Sequence, residues 1–354
     1  MAIYIQATAS ISPQHTFGDV PFLAEAVEYT SSRLRSIEPG YAAYIDAKQL
    51  RRMSRIIKMG AAAAMECLRE AGEKYPDAII TGTAFGCLED TGIFLTGLIE
   101  QNEEMLQPTQ FIQSTHNTVG AQIALMLKCR AYNNTFVHRG FSFESALLDA
   151  CMLLNENEAT NVLVGGVDEI TDISHAILTR LGLYKRLAVS NLHLFASSSK
   201  GTLAGEGAAY FLLTGQLSAN AYAQLEDIDT FYKPFDIAET EQHISSFLSR
   251  NAINIDDVDL IITGKNGDVR GDRVYGHLLK SVFNNSQSIN YKHLCGEYAT
   301  STSFALWLAS NIIKTITVPA VTGFVSLKPQ TIKRILIYNH YFNIHHSLML
   351  VSAV

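Results

Sequence analysis

The sequence is poor in the residues that would announce a metal, a disulfide framework or a polyanion-binding face. Its five cysteines, Cys67, Cys87, Cys129, Cys151 and Cys295, are scattered and odd in number, with no C-x-x-C pair and no histidine at ligand spacing. Neither a metal nor any other cofactor is expected. Lys and Arg total 27 against 34 Asp and Glu, a formal charge of −7, so the clustered cations that neutralise a phosphate backbone are missing. Arg51, Arg52 and Lys58 read as a solvated helical face, and nucleic acid is not expected as a partner. No apolar run approaches the eighteen or so residues of a membrane span. The opening MAIYIQATAS lacks the basic region and long apolar core of a signal peptide and reads as a first strand. A cytoplasmic location is the expectation.

What is plentiful is interior. With 47% hydrophobic and 17% charged residues over 354 positions, the chain is globular and, folded as one body, buries roughly three quarters of its surface. Helix and strand signals alternate throughout, which is an α/β pattern. Met53, Ile56, Ile57 and Met59, with the alanine-rich run to Leu68, predict a helix ending near Gly72, and Ala78-Ile79-Ile80 then opens a buried strand. Asn161 to Gly166 is a strand apolar on both faces, as expected for a sheet covered on both sides.

Between them lies NNTFVHRGFSFESALLDA, Asn133 to Ala150. A short extended run reaches a turn at Gly140 and then a helix whose apolar stripe is Phe143, Ala146, Leu147, Ala150 and Leu154. Enzymes use this strand–turn–helix geometry to expose a nucleophile. Here the turn holds a glycine.

The second half repeats the grammar. Ile79-Ile80-Thr81-Gly82 recurs as Ile261-Ile262-Thr263-Gly264, and His293 to Ile313 echoes the glycine turn and amphipathic helix of the first half. The strand from Arg334 to Asn339 then parallels Asn161 to Gly166. This order predicts an internal duplication, with halves 1–214 and 223–354 joined by 215–222.

From about Met53 onward these landmarks resemble the β-ketoacyl-acyl-carrier-protein synthases, condensing enzymes of the thiolase fold. The matching pieces are Asn117 with the helix Gly120 to Leu127, NNTFVHRG with its helix, VLVGGVDE at Val162 to Glu169, and AGEGAAYFLL at Ala204 to Leu213. The resemblance implies a five-layer α-β-α-β-α body of two similar halves, normally a dimer. It also implies a cysteine at a helix N-terminus, which favours the thiolate and an oxyanion, and two histidines that assist decarboxylation. Counting about twenty-five residues back from Gly165 puts Gly140 at the cysteine position. Anchoring on Asp272 puts Gly264 at the first histidine, and Lys292 and Gly296 put Glu297 at the second. A slip of one residue would place Arg139 or Phe141 at the cysteine, and neither is a nucleophile. Where relatives carry a glycine-rich gate after Asn339, this chain has His340-Tyr341-Phe342-Asn343-Ile344, a gate rebuilt with bulk.

Other residues stand near these positions. Ser142 reads as a helix cap, Cys87 as a loop or packing residue, and Cys295 stands beside the equivalent turn of the second half. His138, alternating with Phe136 on a strand, reads as a structural or interface residue, and His345-His346 lack His-x-His metal spacing. The paired carboxylates Asp168 and Glu169, and Glu206 between two glycines, read as structural. The resemblance therefore implies a catalytically degenerate, chain-length-factor-like subunit that pairs with an active ketosynthase and meets an acyl carrier protein, as in type II polyketide or aryl-polyene systems. Gln110 to Thr115, Asn117, His138, Phe141, Lys292 and Phe342 are the expected tunnel or interface residues, with Phe111, Ile112 and Thr115 foremost. An acyltransferase with an unrecognised nucleophile (Ser142, Cys87 or Cys295) and a non-catalytic acyl-binding homodimer are the alternatives.

Overall fold

The computed structural model describes residues 1–324 and 332–354. Ten strands form its main sheet: β1 (Ile3–Ile11), β2 (Ala78–Gly82), β3 (Tyr132–Phe136), β4 (Asn161–Asp168), β5 (Gly207–Thr214), β6 (Ala223–Tyr232), β7 (Leu260–Thr263), β8 (Ser288–Asn290), β9 (Arg334–Tyr341) and β10 (His345–Ser352). The first five lie in the order β1-β5-β4-β2-β3 and the second five in the order β6-β10-β9-β7-β8. Each strand of the second set thus takes the place of its counterpart in the first. The sense of pairing repeats as well: β2 is parallel to β3 and β4, and β7 to β8 and β9. β5 is antiparallel to β4 and β1, and β10 to β9 and β6. Among the described residues the two sets pair with each other only where Ile3 to Ile5 of β1 meet Ala223 to Leu225 of β6.

Helices cover both sets and separate them. α1 (Arg55–Ala71) buries Ile56, Ile57, Met59 and its alanine run against one face of the first set, and ends at Gly72 with φ of 71°. The left-handed residue there closes the helix without a Cβ clash. α2 (Leu88–Glu100), α3 (Pro108–Gln113) and α4 (Thr118–Leu127) follow on that half. α5 (Ser142–Asn155) leads into β4, and α6 (Asp172–Arg180) leaves it. α7 (Ile237–Arg250) and α8 (Asp272–Leu278) cover the outer face of the second set through Ile244, Phe247, Val274 and Leu278. α9 (Thr302–Thr315) is buried along almost its whole length.

α5 and α9 form the middle layer. One continuous core joins Phe143, Ala146, Leu147 and Leu154 of α5 with Phe304, Leu308 and Ile312 of α9, Ile80 and Val164 of the first sheet, and Ile262 and Ile337 of the second. The apolar stripe read from positions 143 to 154 is buried as its spacing requires. Three cores, one on each outer face and one between, give the α-β-α-β-α stacking of a thiolase-like fold. Among the described residues no helix is long and apolar enough to cross a membrane.

Some boundaries differ from the sequence reading. The extended run before Gly140 is a strand only to Phe136, so His138 lies in the turn and not on the strand. β4 continues to Asp168 and β9 to Tyr341, because buried partners in β5 and β10 carry the ladders further.

Candidate functional site

Ser142 sets the turn between β3 and α5: its hydroxyl donates to Arg139 O and accepts from the His138 amide, each at 2.8 Å. The left-handed residue of the turn is Arg139, with φ of 49°, one position before Gly140. A Cβ built on Gly140 would stand 2.6 Å from Tyr341 Cβ and 3.0 Å from His345 Cβ. Both neighbours belong to the β9–β10 hairpin, whose tip Phe342-Asn343 is left-handed at both positions. Tyr341 packs with Ala84, Ala299 and the half-buried Phe342, while the Phe141 ring lies 4.7 Å edge-on to His345. Within the stretch His340 to Ile344, Tyr341 is the residue that fills the space before position 140.

The position read as the first histidine is closed in the same way. A Cβ on Gly264 would collide with the Asn339 side-chain oxygen and lie 2.7 Å from Tyr275 Oη. Asn339 is held there by the Tyr291 hydroxyl, which donates to its Oδ1 at 3.0 Å. At the third position Glu297 accepts from Lys292 Nζ through both oxygens at 2.7 Å and from Asn266 Nδ2 at 2.6 Å. Both members of the pair are fully buried. Burial pushes the Glu297 carboxyl up and the Lys292 charge pulls it back. Two charge-assisted bonds of this length mark a committed internal ion pair. Asp272 supports the same loop by accepting from the amides of Asn266 and Gly267, each at 2.9 Å.

None of the substitutes reaches solvent. Ser142, Cys87 and Cys295 are each 0% exposed, and burial raises both thiols far above their ordinary range. A thiol so placed is inert, since the thiolate is the nucleophile. The carboxylates serve as fasteners. Asp168 accepts from the Thr83 hydroxyl and Ala84 amide with one oxygen, and from the Thr300 amide and hydroxyl with the other. Glu206 accepts from both Arg55 terminal nitrogens and from the amides of Ser36 and Ile170. Glu169 accepts from the Glu89 amide at the start of α2, and burial pushes its carboxyl up to about 8. It borders a small apolar cavity of about 150 Å³ shared with Tyr184, Tyr298 and Tyr341.

Beyond that cavity runs an open groove of about 770 Å³ between α2 and α6, with Ile93, Leu95, Leu106, Ile173 and Ile177 on its walls. Leu88, Ser174 and Ile177 border both spaces. Phe111 and Ile112 are 58% and 61% exposed on α3 at the rim, Phe111 lying 5.4 Å from Phe94, and neither lines the groove. Thr115 and Asn117 are exposed beyond them. The groove-lining residues of α2 and α6 went unread in the sequence, though α2 offered a signal. Ile93, Phe94, Leu95, Leu98 and Ile99 surround that helix with apolar side chains, yet only Asp90 of its residues is buried. No residue of α3 or α6 is buried at all. Helices so apolar and so uncovered belong to an interface or a ligand-binding wall.

Residues 31–204 match the β-ketoacyl synthase N-terminal domain family. Just under half of the chain is thus similar to that family. Across its whole length the chain is similar to three solved structures. The ishigamide ketosynthase/chain length factor has a TM-score of 0.83 at 14% identity, covering 100% of this chain and 99% of that one. The ketosynthase ApeO in complex with its chain length factor ApeC, from Xenorhabdus doucetiae, has a TM-score of 0.79 at 14% identity, with 100% and 98% coverage. A β-ketoacyl synthase from Burkholderia phymatum STM815 has a TM-score of 0.78 at 14% identity, with 100% and 99% coverage. The ketosynthase fold therefore extends beyond the matched domain to both halves. No curated protein matches the chain by sequence.

Proposed function

We propose that this ketosynthase-fold chain is a catalytically degenerate, chain-length-factor-like subunit: it pairs with a complete ketosynthase and shapes the space for a growing acyl chain in fatty-acid or polyketide biosynthesis of the aryl-polyene type. The carrying observation is the contact at position 140, where Tyr341 occupies the volume any nucleophilic side chain would need. Losing one member of a catalytic unit that acts together costs on the order of 10⁴ to 10⁶ in turnover. Glycines at 140 and 264 and the buried Lys292–Glu297 pair leave nothing of the cysteine–histidine chemistry. Support for a partner comes from the uncovered faces of α2, α3 and α6 and from β3, which ends the sheet with its outer edge unpaired. Two of the similar structures are named as ketosynthases with their chain length factors.

Co-expression with a cysteine-bearing ketosynthase encoded nearby tests the reading. A stable mixed dimer is expected, acting on chains delivered by an acyl carrier protein, with product length changing when Phe111 or Ile112 is enlarged. Separate elution of the two proteins, or this chain eluting as a homodimer with a bound fatty ligand, would overturn it. So would a covalent adduct on Ser142, Cys87 or Cys295 after incubation with acyl thioesters.

A further inference from the structure

We propose that the turn between β3 and α5 is an anion-binding site in which Arg139, flanked by His138 and His345, holds a carboxylate or phosphate monoester carried on an apolar body. A left-handed backbone is costly for a residue with a Cβ, and Gly140 stands one position away. Gly140 itself is fixed by the space that Tyr341 takes. The strained residue is a long cation whose side chain is exposed. Its guanidinium enters no ion pair or hydrogen bond among the described residues.

Two imidazoles stand beside it. The His138 ring is exposed and stands 5.5 Å from Phe141 and 6.4 Å from His345 between centroids. His345 is 8% exposed, its ring facing the Tyr341 backbone, and burial followed by the nearby His138 and Arg139 holds its imidazole below the ordinary range. Among the described residues no Asp or Glu forms an ion pair with any of the three. The positive end of the fourteen-residue helix α5 opens at the same turn. Donors and positive charge converge here without an internal anion to answer them. The flanking surface is apolar and aromatic: Val137 is 46% exposed, and Tyr232, 65% exposed, lies 5.3 Å edge-on to His345. That combination suits an anionic head on an apolar tail, the guanidinium fork matching a carboxylate or phosphate.

The test uses the full-length chain in the assembly in which it purifies, titrated calorimetrically at low salt with hexanoate, hexyl phosphate and, as a neutral control, hexanol. Saturable binding of one or both anions is expected, with hexanol at least tenfold weaker. The tighter of hexanoate and hexyl phosphate identifies the head group. Arg139→Ala is expected to weaken anion binding roughly tenfold or more, the loss of a charge-assisted hydrogen bond, and Arg139→Lys to fall between the two. The site is refuted by hexanol binding as tightly as the anions, by no saturable binding of any probe, or by an unchanged affinity in Arg139→Ala. It is equally refuted if Arg139→Ala disperses an assembly while leaving anion affinity intact, which would assign the residue to a protein interface.

Discussion

Lys292 and Glu297 face each other five residues apart, joined by two 2.7 Å contacts in a region with no solvent exposure of either side chain. Such a pair adds little net stability over apolar residues of like size, but breaking it strands a charge. Glu297→Leu is therefore expected to lower unfolding stability by about 3 to 5 kcal/mol, and Lys292→Met/Glu297→Leu to return close to the parent. Equilibrium urea unfolding of the three proteins measures this. A single variant as stable as the parent would show that Lys292 has another acceptor. Glu297→His, which installs the histidine that the resemblance implies at this position, meets the same stranded ammonium and is expected to be no more stable than Glu297→Leu.

Position 140 gives the complementary experiment. Gly140→Cys drives a Cβ into Tyr341 at 2.6 Å, and overpacking of this kind costs about 1 to 3 kcal/mol. The variant is expected to melt lower and to take up no acyl group from a thioester, as read by intact mass. Adding Tyr341→Gly removes the colliding side chain and is expected to recover part of the loss. A Gly140→Cys protein that keeps parental stability and becomes acylated would mean that the hairpin is not the obstruction described.

Glu144 gives a pH dependence with a defined sign. It sits in the first turn of α5 and is 0% exposed, and burial pushes its carboxyl up to about 7, against the smaller opposing pull of its own amide, the Thr302 and Ser347 hydroxyls and the Lys292 charge. Because the folded value lies above the unfolded one, the native state holds the proton longer. Stability is then greatest below the ordinary carboxylate range and falls as pH rises toward 7, by about 3 kcal/mol for a shift of this size. Glu169, raised to about 8, adds a fall in the same direction. Unfolding at pH 5 and pH 8 should show the parent losing stability across the interval and Glu144→Gln losing about 3 kcal/mol less. Equal losses would mean that Glu144 is not the titrating group.

The sequence was most informative where the cause is local. The stripe from Phe143 to Leu154 and the four-residue echo of Ile79 to Gly82 at Ile261 to Gly264 led directly to the buried central helix and the repeated strand order. Contacts between distant segments were not legible. Nothing near Gly140 indicates that Tyr341, some two hundred residues later, takes its space, nor does Gly264 announce Asn339. In the sequence alone the acidic residue at 297 is an acceptor in place of a donor. Its meaning changes once Lys292 and Asn266 are seen to use its lone pairs. The groove is not legible because the apolar residues of α2 spread over more than one side of the helix, a pattern that does not say what covers them.

That last ambiguity is open to experiment. Leu95 and Ile177 stand on opposite walls of the groove, 50% and 52% exposed. Substitution of an exposed residue normally changes the stability of a chain by no more than about 0.5 kcal/mol. Leu95→Asp and Ile177→Asp should therefore leave the melting of the isolated chain nearly unchanged. If a ketosynthase partner covers these helices, each aspartate places an unpaired charge in an apolar contact, and mixed-dimer affinity should fall at least tenfold by analytical ultracentrifugation. Leu217→Asp, at a 58% exposed position away from the groove, should bind the partner as the parent does. Full mixed-dimer affinity in both groove variants would leave α2 and α6 facing solvent or a ligand, and would remove their uncovered faces as support for a partner subunit.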